Sequence, residues 1–118
     1  DNNTGLSFNA NDQINYIRML ANAAHDRNLA FALKNNLDQI KELVAFSDLT
    51  VNEQCHEYNE CELLQPFIDA GKPVLNAEYL SSYTQKPGLS TICNSAKSEN
   101  FQTLILPLEL DNSFRISC

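Results

Sequence analysis

The chain has no tryptophan, one methionine and only three glycines in 118 residues. So few glycines leave no material for a glycine-rich nucleotide cradle, and neither a phosphate-binding loop nor a Gly-x-Ser-x-Gly nucleophile elbow occurs. Basic residues are scarce too: 8 Lys and Arg stand against 15 Asp and Glu, a formal net charge of −7. A phosphate backbone needs a basic face, which argues against nucleic acid as a partner. No apolar run approaches the ~18 residues that cross a bilayer, so no membrane partner is expected. No signal peptide is visible either; the chain opens on Asp1-Asn2-Asn3, which fits a leader removed or never included. What the acidic excess does favour is a cationic ligand, concentrated by a negative cleft.

Four cysteines are present, and four allow three pairings. Their spacing lacks the tight Cys-x-x-Cys pairs of a zinc site, so no metal is expected. Cys55 and Cys61 are close enough to staple one loop, which leaves Cys93 to tie back the terminal Cys118. Disulfides imply an oxidising compartment, so the expected localisation is secreted and extracellular. Asn2-Asn3-Thr4 is a glycosylation sequon, consistent with that expectation.

Taken in order, Asn9 is a candidate helix cap with Asp12 three residues on, ahead of a helix over 11–28 whose inner face is Ile14, Ile17, Ala21 and Ala24. A buried strand is expected over 29–33, ending in Lys34-Asn35-Asn36. A second helix follows, capped by Asn36 with Gln39 at its third position. Ser47 to Val51 forms the next strand. A third helix is expected over 57–70, starting or kinking at Pro66 and stopped by Gly71. Pro73 to Tyr79 makes a third strand, 81–90 a loop turning at Pro87-Gly88, 91–99 a short helix, 102–108 a fourth strand and 110–118 a tail. This alternation predicts a parallel α/β sheet with right-handed crossovers. At roughly half the 200 or more residues of an eight-unit barrel, the chain forms one domain or part of one.

Loops at the carboxyl ends of parallel strands line the binding crevice. Three consecutive expected strands end in polar residues: Lys34 with Asn35, Asn52 with Glu53, and Glu78 with Tyr79. Glu53 lies two residues before Cys55, in the stapled stretch, and is the candidate catalytic acid or base. Glu53 and Glu78 together could supply the carboxylate pair of glycoside hydrolysis; Lys34 could instead pair with one of them and lower its pKa. His25 sits where a cation favours a helix C-terminus, a structural role. His56 lies inside the stapled loop with no obvious companion ligands. Tyr16, Tyr58, Tyr79 and Tyr83 could stack on sugar rings or pack at the core and edges.

At these residues the sequence resembles a known family. Asn3-x-Gly5, Asp12-Gln13, Ala24-His25, Leu33-Lys34-Asn35, Asn52-Glu53-Gln54-Cys55 with Tyr58-x-Glu60-Cys61, Pro66-Phe67-Ile68 with Ala70-Gly71-Lys72, and Glu78-Tyr79 are similar to the second half of glycoside hydrolase family 114. Members are secreted endo-α-1,4-polygalactosaminidases on a (β/α)8 barrel. The resemblance implies four consecutive β/α units, the fifth to eighth strands of that barrel. It makes Glu53 a catalytic carboxylate and places Lys34, Asn35, Asn52, Glu78 and Tyr79 in the substrate cleft, with no cofactor. The family's other catalytic carboxylate is an aspartate in a Glu-x-Asp-Asn-x-Asp motif on the fourth strand, which would fall before Asp1. The implied partners are therefore a polysaccharide rich in α-1,4-galactosamine, partly cationic, and either a missing N-terminal half or a second copy to complete the barrel. A non-catalytic half-barrel that binds glycan or self-associates is the alternative.

Overall fold

The computed structural model describes residues 5–118, so the sequon at Asn2-Asn3-Thr4 lies outside the described residues. Helix α1 spans Ala10–His25. Its cap is the expected one: the Asn9 side chain accepts from the Asn11 and Asp12 amides while Asp12 accepts from the Asn9 amide, so two otherwise orphaned donors are satisfied reciprocally. The helix ends earlier than its apolar spacing suggested, because Asn28 takes positive φ three residues later. Strand β1 is Ala32–Lys34, β2 Leu49–Glu53, β3 Val74–Glu78 and β4 Gln102–Ile105. They lie side by side in chain order and pair in parallel.

Several boundaries move. Leu29, expected in the first strand, is largely exposed outside it. Asn36 adopts left-handed backbone and makes no side-chain cap; its amide donates to Gln39 instead. The second helix is a 3-10 turn at Leu37–Gln39 leading into a short α2, Ile40–Leu43. The third is likewise a 3-10 turn at Cys61–Leu64 and a short α3, Gln65–Asp69, with Pro66 in its first turn where a missing amide costs nothing. Residues 57–60 are turns rather than helix. Gly88 opens α4, Gly88–Ser98, instead of closing a loop, and a Cβ there would collide with the Ser82 carbonyl oxygen. The tail folds back as a fifth strand, β5, Ile116–Ser117, antiparallel to β4.

The shortage of glycine has a counterpart in this backbone. Of the eight non-glycine residues with positive φ among the described residues, six are asparagines: Asn28, Asn35, Asn36, Asn59, Asn100 and Asn112. Asparagine tolerates left-handed backbone because its short amide bonds locally, so it supplies the turns that glycine would otherwise make.

The two faces of the sheet differ. Leu33, Thr50, Asn52, Val74, Asn76, Glu78, Thr103 and Ile105 are all buried. Leu33 and Val74 join Ile40, Leu43, Leu64, Phe67 and Ala96 in one core, with Ile14 and Ile17 of α1 packed against it. The alternate residues, including Lys34, Val51, Glu53, Leu75 and Ala77, are exposed or half-buried. A parallel sheet normally has both faces covered. Here one face carries helices and the other is open, which is half of a closed barrel in cross-section. Both expected bridges are present, Cys55–Cys61 and Cys93–Cys118.

Candidate active site

Glu53 is the last residue of β2 and sits on the open face. One carboxylate oxygen lies 2.6 Å from the Lys34 ammonium at the tip of β1; the other accepts from the Tyr79 hydroxyl, just past β3, at 2.7 Å. Its backbone amide donates to Asn35 Oδ1 at 3.0 Å, and the same oxygen accepts from Asn52 Nδ2 at 3.3 Å. Three neighbouring strand tips thus converge on one carboxylate. The next residue, Gln54, holds φ of 63°. That conformation is strained for a residue with a Cβ and is fixed by the hydrogen bond its backbone N–H donates to the Ala77 carbonyl at 2.8 Å. The bridge at Cys55 then closes the loop.

The Lys34 hydrogen bond, followed by that of Tyr79, holds the Glu53 carboxyl below the usual carboxylate range. Burial, and then the bond to Glu53, pushes Tyr79 up to about 12, so it remains a neutral donor at any working pH. A depressed pKa means that the folded chain favours the ionised form. Replacing Lys34 with methionine removes the largest depressing cause. Glu53 then titrates at higher pH, and the acid limb of any rate profile that depends on its ionised form shifts upward. An NMR titration of the Glu53 carboxyl carbon checks the direction, and an unchanged midpoint would show that Lys34 does not control this group.

Two residues expected in the cleft lie elsewhere. Glu53 pairs in register with Ala77, so Glu78 points to the opposite side of the sheet. It is fully buried among the helices, where Oε1 accepts from the His56 amide at 2.9 Å and from Asn76 Nδ2 at 3.0 Å. Asn52 is buried on that same side. Glu78 and Glu53 therefore do not form a carboxylate pair across a cleft. Glu78 instead holds the stapled loop from beneath, and Asn52 braces Asn35. Lys34, Asn35 and Tyr79 do meet Glu53.

The two histidines serve the scaffold. His25 Nε2 lies 2.9 Å from Asp48, tying the end of α1 to the start of β2. The Phe31 amide, then His25, holds the Asp48 carboxyl below its ordinary range. His56 is mostly buried, edge-on to Phe101 at 6.5 Å and with Nε2 3.6 Å from Glu99. The ligand atoms of Cys55, His56 and Cys61 lie within 4.8 Å of one another, but both sulfurs are committed to the bridge. Sequence reasoning missed the buried Asn76, which braces Glu78, and the half-buried Glu99 beside His56.

A parallel sheet with helices on one face, and with an ion-paired glutamate at its carboxyl-end rim, is the architecture of α/β-barrel hydrolases. The chain belongs to glycoside-hydrolase family GH114, whose model matches residues 1–118. The crystal structure of Aspergillus fumigatus Ega3 in complex with galactosamine is similar at 37% identity and a TM-score of 0.85, covering 100% of this chain and 49% of that one. The chain therefore spans about half the length of that solved relative, and its four consecutive β/α units correspond to half of its barrel. Among curated proteins none matches.

Proposed function

We propose that this chain is the C-terminal half of an endo-acting glycosidase that cleaves α-1,4-linked, galactosamine-rich polysaccharide, with Glu53 as a catalytic acid or base. The observation that carries this reading is the placement of Glu53 on the open face, pinned by Lys34 and Tyr79 from the adjoining strand tips. Glycoside hydrolysis needs a second carboxylate. None of the expected cleft residues supplies it, since Glu78 faces away. It would come from an N-terminal half or from another chain. In this chain Glu53 favours the ionised state, suited to accept a proton; a second carboxylate brought alongside would raise its pKa and let it donate one. Family membership and likeness to a galactosamine-bound structure support the substrate class. The two bridges support an oxidising, extracellular setting.

One observation favours a second reading, a half-barrel that self-associates. Val51, Leu75 and Ala77 leave an apolar stripe uncovered on the inner face, and such a face invites a partner. Both readings are tested by separating the protein by size and assaying each fraction for release of reducing ends from deacetylated α-1,4-galactosamine polymer. Activity only in a fraction of completed barrels, paired or full-length, is the expected result. Completed barrels without activity would overturn the hydrolase reading.

A further inference from the structure

One cavity lies away from Glu53. It is a groove of about 1120 Å³ between the first turns of α1 and residues 36–42. A small-molecule pocket holds roughly 300–1,000 Å³, so this groove has room for more than one sugar ring. It begins at Asn36, next to the Asn35 that braces Glu53, and opens at the same end of the sheet.

Its chemistry is of two kinds. Phe8 and Tyr16, 69% and 59% exposed, offer aromatic faces to solvent. Asp12, Asp38 and Glu42 offer three carboxylates, and among the described residues no lysine, arginine or histidine lines the groove. One Asp12 oxygen is used in the cap of α1; Asp38 and Glu42 pair with no cation among the described residues. Flat apolar surface beside unneutralised negative charge matches a ligand with an apolar ring face and a positive edge. A polymer of amino sugars has both in every unit.

We propose that this groove is a second glycan-binding surface, taking the cationic amino-sugar chain as it runs outward from Glu53. The inference rests on the reading of the substrate given above. Carboxylates and ammonium groups at an exposed site each gain a modest free energy, so affinity builds from several weak contacts.

The test measures calorimetric binding of a hexamer of α-1,4-galactosamine to the protein carrying Glu53→Gln, which prevents cleavage. On that background Asp38→Asn with Glu42→Gln should weaken binding about tenfold, and Phe8→Ala with Tyr16→Ala by a similar factor. All four positions are exposed, so unchanged melting temperatures are expected to accompany the loss. The N-acetylated hexamer, which lacks the charge, should bind at least about fivefold more weakly than the free amine. Hexalysine binding as tightly as the amino sugar would reduce the groove to a general polycation surface and overturn the proposal. If the polymer is cleaved by the parent protein yet both double variants bind it at full strength, the groove assignment falls and the hydrolase reading stands. If the hexamer binds and the variants weaken it, but no preparation cleaves polymer, the groove stands and the hydrolase reading falls.

Discussion

Glu53→Gln in a completed barrel should lower the cleavage rate of deacetylated galactosamine polymer by a factor on the order of a thousand or more, the range in which a positioned acid or base operates. The substitution keeps the shape and one carbonyl acceptor. Tyr79 retains an oxygen to donate to, while the amide nitrogen on the other side cannot accept from Lys34, whose ammonium turns to solvent. Lys34 and Glu53 are both partly exposed, and ion pairs of that kind contribute little to stability. The melting temperature should therefore stay close to that of the parent. A large loss of rate with a preserved fold isolates the proton-transfer role. Retained cleavage would show that the carboxylate merely braces Lys34 and Tyr79. A collapse in stability would show that the strand tips depend on this charge, contrary to their geometry.

The stretch around Glu53 was legible because its signals are local. An apolar run, an abrupt change to polar residues and a close cysteine pair are all contiguous, and the bridge fixes what they become. The asparagine cap of α1 was legible for the same reason. The pairing of Glu53 with Glu78 failed on a different kind of information. Side chains alternate across a strand, so a one-residue difference in register sends a carboxylate to the far face. Both glutamates end their strands, yet Glu53 lies level with Ala77 rather than with Glu78. Nothing short of the ladder itself reveals that offset. Asn52, one step behind Glu53, falls to the buried side by the same alternation. The short α2 and α3 were over-read because their apolar spacing continues through 3-10 turns that share residues with the core. The groove beside α1 went unread for the opposite reason: Phe8 and Asp38 are far apart in the chain and meet only once α1 and α2 pack.

The two bridges should separate stability from function when they are removed one at a time. Cys93→Ser with Cys118→Ser opens a loop of 25 residues. The chain-entropy model gives about 3.5 kcal/mol for a closure of that length. The same change frees β5, whose contact with β4 runs through only Leu104 and Ile105. A drop in the midpoint of chemical denaturation is expected, with a catalytic rate near that of the parent at temperatures where the protein stays folded, because β5 pairs with β4 alone and β4 separates it from the strands that carry Lys34, Glu53 and Tyr79. Cys55→Ser with Cys61→Ser opens a loop of 6 residues, worth about 2 kcal/mol on the same model. Its effect on rate should be the greater of the two. The left-handed turn at Gln54 stands between that bridge and Glu53. Once the staple is cut, hydrogen bonds alone hold the turn: to the Ala77 carbonyl and the Glu78 carboxylate across the sheet, and, within the loop, those linking Gln54 with Glu57 and Tyr58 and Cys55 with Glu60. The carboxylate then wanders from the position that the three strand tips define, and a displacement near 1 Å is enough to lose about a hundredfold in rate. If the second variant cleaves at the parent rate, the hydrogen bonds alone position Glu53 and the bridge is a stabiliser only. If the first variant loses rate as steeply as the second, stability and positioning are not separable in this fold.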